Sequence, residues 1–522
     1  MIFRSPFPEV EIPEVSLPEF VFARTSERAG KPALIDGVSG RVYTHGEIAA
    51  LVRRAAAGLA RRGFRKGDVL ALFSPNLPEY AVAFHAAATL GGATTTINPL
   101  YTVEEVSKQL TDAGAKYMVT VPPLVGKAAE ACEGSGVEEL FVFGEAEGAT
   151  PFAALLEGDD DPPRVEINAR EDVVALPYSS GTTGESKGVC LTHRNLAANL
   201  AQIEGTRHAS SEDTFVCVLP MFHIYGLNVI LNYGLYAGAT TVTLPRFDLE
   251  QTLRVVEDYR VTLGHFVPPI ILALARHPSV ENYDLSSLKT IFSGAAPLGE
   301  HVQRECARRL GCYIKQGYGM TETSPATHMV PHEPGRERFG SVGVLTPNTE
   351  CKVIDLLSGT ELGTEEEGEI CVRGPQVMQG YLNKPEATAR TIDSDGWLHT
   401  GDIGYADAEG CFYIVDRAKE LIKYKGFQVA PAELEAVLLT HPAVADCAVI
   451  PCPDDEAGEV PVAYVVLRGE TEAAEIISYV AERVAPHKKV RRVEVIEQIP
   501  KSPSGKILRR VLVARERERQ RT

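Results

Sequence analysis

The stretch that decides the architecture runs from Val173 to Val189, VVALPYSSGTTGESKGV. Its opening, Val173–Pro177, is a short apolar run with the pattern of a buried strand. From Tyr178 the chain changes character at once. Gly181, Gly184 and Gly188 let the backbone turn tightly and come close to a ligand. Ser179, Ser180, Thr182 and Thr183 add hydroxyl donors without charge, and Lys187 adds a mobile point charge suited to phosphate. A strand running into such a loop is a grouping that holds a polyphosphate. THRN, from Thr192, reads as the entry to the next helix. No Walker A arrangement can be aligned on the loop.

The alternation extends towards the N-terminus. Thr44 and Glu47 form a capping box, and Ile48, Leu51, Val52, Ala55 and Leu59 succeed it at helical spacing up to Gly63. Val69 to Phe73 reads as a buried strand, and Pro78 opens a helix that reaches Gly91. A second capping box, Thr102 with Glu105, precedes another helix, and Tyr117 to Val121 reads as the next strand. Strand and helix in this order predict parallel sheets covered by helices. The polar stretch EGDDDPP, Glu157 to Pro163, reads as a loop between two subdomains.

Towards the C-terminus the texture changes twice. From about Gly340, short β-like pieces (GSVGVLTP, CKVID, GEICVRGP, CFYIVD) alternate with Gly- and Asp-rich turns, predicting a β-rich, barrel-like subdomain over about 340–415. Beyond Asp416, a helix opening at Pro431, strands at Ala445–Ile450 and Val462–Val466, a helix carrying Ile476, Ile477, Val480 and Val484, and a strand at Val493–Ile496 predict a separate α+β unit. The expected fold is therefore α/β, with a large N-terminal domain over 1–418. That domain holds two parallel αβ-layered subdomains plus the β-rich one, and a small C-terminal domain covers 419–522.

Composition narrows the partners. The 522 residues are 44% hydrophobic and 23% charged, an ordinary globular balance. With 52 Lys+Arg against 70 Asp+Glu the net charge is −18, which disfavours non-specific binding to nucleic acid or anionic membrane. Any polyanion must be gripped locally, in a defined pocket. The ten cysteines include no C-x-x-C pair and suit small buried residues in a reducing compartment. Pro and Glu interrupt the apolar runs of the N-terminus, no run reaches the roughly 20 residues of a membrane span, and RERERQRT carries no lipidation or peroxisomal signal. The expected location is cytoplasmic; oligomeric state stays open.

YSSGTTGESKGVCLTH resembles the phosphate loop of the adenylate-forming superfamily, which comprises acyl-CoA synthetases, luciferases and adenylation domains. QGYGMTE (Gln316–Glu322), GWLHTGD (Gly396–Asp402), VDRAKELIKYKGFQVAPAELE (Val415–Glu435) and SGKILRR (Ser504–Arg510) agree as well, in the family's order. FHIYGLN, SGAAPLG and IKYKGFQVAPAELEAVL look most like 4-coumarate–CoA ligases. The resemblance implies two steps: a carboxylate attacks the α-phosphate of Mg-ATP to give an acyl-adenylate, and the thiol of coenzyme A then displaces AMP. No protein nucleophile is needed, which agrees with the lack of a G-x-S-x-G elbow.

The resemblance also implies roles. Ser179, Ser180, Gly181, Thr182, Thr183 and Lys187 would hold the pyrophosphate part of ATP. Gln316, Gly317 and Thr321 would lie along the nucleotide, with Thr321 at the α-phosphate, and Glu322 would ligate Mg²⁺. Asp402 and Arg417 would meet the ribose. Lys506 would neutralise charge developing between carboxylate and α-phosphate. In the second step the small C-terminal domain, a mobile lid, would rotate about Lys419, exchanging Lys506 for Lys423, Lys425 and Gly426, with Gln428 nearby and Arg246 at the coenzyme A phosphates. His223 and Thr321 join Lys506 and Lys423 as catalytic candidates.

For the acyl pocket the match gives Tyr225, Val229, Ala295, Gly317, Gly319, Pro325, Ala326 and Met329. Val229 departs from the small polar residue common in plant ligases, which admits unsubstituted cinnamate or a medium-chain acid beside 4-coumarate. A medium- or long-chain fatty acid–CoA ligase is the second expectation. A luciferase-like or carrier-loading enzyme is less favoured.

Overall fold

Local chemistry sets the helix starts. The Thr44 side chain accepts from the Glu47 amide and Glu47 returns the contact, capping the helix His45–Arg61. Thr102 and Glu105 do the same for Val103–Ala113, which ends at left-handed Gly114. Thr192 caps His193–Gly205 with Asn195 as its reciprocal partner. The protein is described by a computed structural model covering residues 1–522 except 159, 180–185, 332–337, 426, 455, 504 and 522.

Two large sheets form the N-terminal part. In the first, Val173–Ser179, Ala93–Ile97, Val69–Phe73, Ala115–Thr120, Glu139–Val142 and Thr150–Pro151 lie side by side and parallel. In the second, Pro32–Asp36, Thr240–Thr243, Thr214–Cys217, Leu263–Phe266, Thr290–Ser293 and Tyr313–Gly319 are parallel neighbours. Strands such as Val69–Phe73 are apolar and buried along their whole length because helices cover both faces of such sheets. Antiparallel strands finish the edges, among them Ala326–Met329 beside Tyr313–Gly319.

Two local features depart from the sequence expectation. After the 180–185 segment the chain runs back as the strand Lys187–Thr192, antiparallel to Val173–Ser179, before the helix His193–Gly205 begins. The glycine-and-hydroxyl loop therefore joins two strands, not a strand and a helix. The reason is apolar burial: Val189, Cys190 and Leu191 are core residues. The second departure is at the N-terminus. Ile2–Arg4, for which no element was expected, pairs with Glu350–Ile354 at the edge of an antiparallel sheet. That sheet continues through Gly368–Arg373, Leu398–Ala406 and Phe412–Arg417, an open five-stranded order with Ile2–Arg4 at one edge.

The C-terminal part has its own core. Ile422, Val429, Leu434, Leu438, Val449, Ile476 and Val480 pack together around the strands Val444–Asp454 and Gly458–Leu467. Arg509 ties the C-terminal helix into it, pairing with Glu435 at 2.8 Å and Glu420 at 2.6 Å. The unit also touches the rest of the chain: Arg276 donates to the Leu439 carbonyl at 3.0 Å while pairing with Glu305 at 3.0 Å. Among the described residues, no helix is long and apolar enough to cross a membrane.

Candidate active site

Open α/β sheets bind ligands past the carboxyl ends of their strands, where the backbone turns away and leaves a crevice. Here the C-terminal ends of both sheets face one cleft. Thr96, Asn98 and Tyr178 reach it from the first sheet, and Phe222, His223 and Thr321 from the second. Thr96 Oγ1 donates to the Phe222 carbonyl at 2.7 Å, joining the two sides. Asn76 holds the rim loop, accepting from the Met221 amide at 2.7 Å and donating to the Leu219 carbonyl at 2.9 Å.

The ends of the phosphate loop are pinned beside this cleft. Ser179 and Lys187 are cross-strand partners. Ser179 Oγ donates to Glu322 Oε1 at 3.0 Å, and the Lys187 ammonium sits 4.9 Å from the centre of the Tyr381 ring. Ser180, Gly181, Thr182 and Thr183 lie outside the described residues, as does Gly426. Tyr381 also donates to Glu322 Oε1, at 2.9 Å. Both hydroxyls thus use the same oxygen of a carboxylate that is only 3% exposed. A buried carboxylate beside hydroxyls, next to a polyphosphate loop, fits the oxygen preference of Mg²⁺. Thr321 starts the same short turn, Thr321–Thr323, and is half-buried.

Across the cleft, Asp402 and Arg417 are direct partners on neighbouring antiparallel strands. Arg417 Nε lies 3.2 Å from Asp402 Oδ1, and Tyr318 donates its hydroxyl to Asp402 Oδ2 at 2.6 Å. Burial pushes the Asp402 carboxyl above its ordinary value, against the pull of Arg417 and Tyr318. Gln316 faces elsewhere: its amide bonds to the Leu298 backbone and to Gln303. It braces the turn after Ser293 rather than presenting a free group to a ligand.

Lys506 comes in from the C-terminal part. Burial first, then Arg417, lowers its pKa, while Asp402, Glu322 and Glu420 act in the opposite sense. Gly505 explains how the tip fits. Its φ of +79° is left-handed, and a Cβ there would stand 2.7 Å from Val267. The neighbouring cations are engaged otherwise: Lys501 pairs with Asp446 at 2.6 Å, and Arg509 with Glu435 and Glu420. Of these three cations, Lys506 is the one lodged in the cleft.

His223 stands between the phosphate side and a second recess. Burial, with Lys506 nearby, holds its imidazole down to about 3, so it is neutral near pH 7. The Tyr225 amide donates to its Nδ1 at 3.3 Å, which leaves the ring proton on Nε2 as a donor. The recess beyond is lined by Pro220, His223, Tyr225, Gly226, Val267 and Ala295. Tyr225 donates its hydroxyl to the Phe292 carbonyl at 3.2 Å, so the ring forms a wall with its proton already engaged. Gly317 and Gly319 are confined by their neighbours: a Cβ at 317 would meet the Phe292 ring at 2.4 Å, and one at 319 the Pro325 carbonyl oxygen at 1.9 Å. Val229, Ala326 and Met329 are core residues and Pro325 is buried.

The residues assigned to the second step lie elsewhere. Lys423, Lys425 and Gln428 are exposed on the small unit, with the Lys423 amide bonded to Glu459. Lys419 and Arg246 are exposed too. The structure therefore brings Lys506, Glu322, Asp402, Arg417 and His223 together and leaves the Lys423–Gln428 edge outside.

Sequence reasoning missed Tyr318, Tyr381, Asn76 and Glu420. Tyr318 sits inside the quoted QGYGMTE stretch and could have been picked out there. Tyr381 gave no signal, because its partner is 59 positions away.

These features define an α/β protein whose cleft, at the strand carboxyl ends, is capped by a lysine from a second unit. The chain belongs to the AMP-binding enzyme family: that family's model matches residues 21–382, and the AMP-binding enzyme C-terminal domain matches 433–506. It is 46% identical to 4-coumarate–CoA ligase 3 of Oryza sativa subsp. japonica, over 99% of this chain and 95% of the relative. It is 45% identical to 4-coumarate:CoA ligase 1 of Petunia hybrida, over 99% and 97%. Among solved structures it is similar to the anthranilate CoA ligase AuaEII in complex with anthranoyl-AMP, with TM-score 0.89 and 25% identity over 97% of this chain and 98% of that one. ATP-bound MatB from Rhodopseudomonas palustris gives TM-score 0.86 and 29% identity, over 96% and 99%.

Proposed function

We propose that this chain is an AMP-forming acid–thiol ligase that joins 4-coumarate- or cinnamate-type aromatic acids to coenzyme A. The observation that carries the reading is that Lys506 comes within electrostatic reach of Glu322, Asp402 and Arg417, beside neutral His223. In the first step a carboxylate oxygen of the acid bonds to the α-phosphorus of ATP, and the bond to the pyrophosphate oxygen breaks. Lys506 offsets the negative charge gathering between the two anions, and His223 Nε2–H donates to an oxygen of the acid or the α-phosphate. Ser179 and Lys187, with 180–183, hold the departing pyrophosphate, and Asp402 accepts from the ribose hydroxyls. Mg²⁺, held at Glu322, would neutralise phosphate charge.

In the second step the coenzyme A sulfur bonds to the acyl carbon and AMP leaves with the bonding electron pair. The domain boundary at 418/419, with a hinge at Lys419, is part of this proposal. Rotation there would withdraw Lys506 and bring in the Lys423–Gln428 edge, with Arg246 meeting the coenzyme A phosphates. The exposure of those residues, while Lys506 occupies the cleft, is what an adenylation-ready arrangement requires. The aromatic class is supported by the 4-coumarate–CoA ligase relatives. Because the Tyr225 proton is engaged by Phe292, an acid without a ring hydroxyl is accommodated as well. A cytoplasmic location agrees with ten cysteines of which none is in a disulfide.

The test is to incubate purified protein with ATP, Mg²⁺, coenzyme A and a panel of cinnamic, benzoic and fatty acids, following AMP and thioester. Cinnamates should give the highest kcat/KM. A preference for fatty acids would discard the aromatic assignment, and acid-independent AMP release would discard the ligase.

A further inference from the structure

A group of titratable side chains lies behind the ribose pair and takes no part in either step of the reaction. Cys371 and His399 face each other across the strands Gly368–Arg373 and Leu398–Ala406. His399 Nδ1 lies 3.1 Å from Glu369 Oε2 and 3.5 Å from Cys371 Sγ, and its Nε2 lies 3.6 Å from Asp393 Oδ2. The second Glu369 oxygen, Oε1, accepts the Gly401 N–H at 2.9 Å. The Gly401 carbonyl in turn accepts the Ala418 N–H at 2.9 Å. Gly401 precedes Asp402; Ala418 sits between Arg417 and Lys419. A continuous chain of polar contacts thus runs from Asp393 through His399, Glu369 and Gly401 to Ala418. It ends between the ribose pair and the hinge.

We propose that Glu369 and His399 are positioning residues for the ligase reaction, holding the Gly401–Asp402 turn so that Asp402 meets the ribose and Ala418 is anchored beside Lys419. The inference rests on the reading of Asp402 as the ribose acceptor. Glu369 does two jobs with two oxygens. One takes the backbone N–H of the turn, and the other keeps the carboxylate in place against the imidazole. The contacts with Cys371 and Glu369 raise the His399 pKa to about 10, so the ring carries its charge throughout the neutral range. Facing the same group are Asp393 and, from the next strand, Lys352, which lies 4.8 Å from the Trp397 ring centre; Arg373 covers the same ring at 4.4 Å. Residues that orient a ligand-binding group are felt in affinity for that ligand, because small displacements of a positioned group are costly.

The experiment compares the full-length chain with Glu369→Ala, Glu369→Gln, His399→Gln and Asp402→Asn in acid-dependent pyrophosphate exchange, reading KM for ATP, KM for the acid, kcat and Tm. Glu369→Ala should raise KM for ATP about tenfold with KM for the acid within twofold. Glu369→Gln keeps an oxygen for the Gly401 N–H and should recover most of that loss. His399→Gln should fall between them. A Glu369→Ala protein with lowered Tm but unchanged KM for ATP, or with both KM values raised alike, would overturn the proposal. So would a stoichiometric transition metal found by elemental analysis and lost in the Glu369→Ala and His399→Gln variants, since Glu369, Cys371 and His399 would then be a ligand set. Asp402→Asn separates the two readings: if it leaves KM for ATP unchanged, the ribose assignment itself fails. If it raises KM while Glu369→Ala does not, only the positioning role fails.

Discussion

Asp402 and Arg417 face each other across two antiparallel strands and pair at 3.2 Å, and the ammonium of Lys506, from the far end of the chain, senses both charges. One buried carboxylate and two half-buried cations, one of them from the far end of the chain, thus share the cleft. There the effective dielectric is low, and each charge acts strongly on its neighbours.

Lys506→Ala should reduce acid-dependent pyrophosphate exchange about a hundredfold, the scale seen when one preorganised stabilising group is removed. ATP binding, read by equilibrium titration, should change far less. An exchange rate within threefold of the parent would remove Lys506 from the chemistry. Because burial lowers its pKa, the parent should also lose exchange activity at a lower alkaline pH than an ordinary lysine would allow.

Lys419→Pro should block thioester formation while adenylation continues, since a fixed φ at the hinge opposes rotation. The two half-reactions are measured separately, by pyrophosphate exchange and by transfer from preformed acyl-adenylate. Equal loss in both would count against the swap of faces.

Arg276→Ala removes the donor to the Leu439 carbonyl and the partner of Glu305. The closed arrangement should then be less populated, lowering the adenylation rate several-fold with little effect on thioester transfer. Single-turnover kinetics of each step would check this, and a slower second step alone would contradict it.

His399 gives a pH signature in stability. Its pKa is raised to about 10 from the ordinary 6.5, so its contacts stabilise fully below about pH 6.5 and lose that contribution as pH climbs through 10. The Tm difference between parent and His399→Gln should therefore shrink between pH 6.5 and 10. A difference that stays constant across that window would show that the ring is not charged.

Gly317→Ala places a methyl against the Phe292 ring at 2.4 Å. The ring must move, and Tyr225 leans on the same strand through the Phe292 carbonyl. KM for aromatic acids should rise about tenfold while KM for ATP holds. The reverse pattern would place Gly317 on the nucleotide side only.

Much of this was legible beforehand because it is local. Capping boxes at Thr44 and Thr102, apolar strand runs and the change of texture near Gly340 each act over a few residues, and all appear where the sequence put them. The glycine-and-hydroxyl loop was legible as chemistry but misplaced in topology, because the decision to return as Lys187–Thr192 depends on burying Val189 and Leu191 against a sheet. Ile2–Arg4 gave no strand signal, since its partners lie near residue 351 and pairing at such separation leaves no local periodicity.

By itself the sequence determined most of the elements, their order and the set of side chains able to handle an acid, a nucleotide and a thiol. Which of them meet was decided only by tertiary structure. Lys506 rather than Lys501 or Arg509 enters the cleft because Asp446, Glu435 and Glu420 hold the other two, and because Gly505 alone can pass so close to Val267. Charge pairing and steric fit act through space, and position along a chain does not encode either.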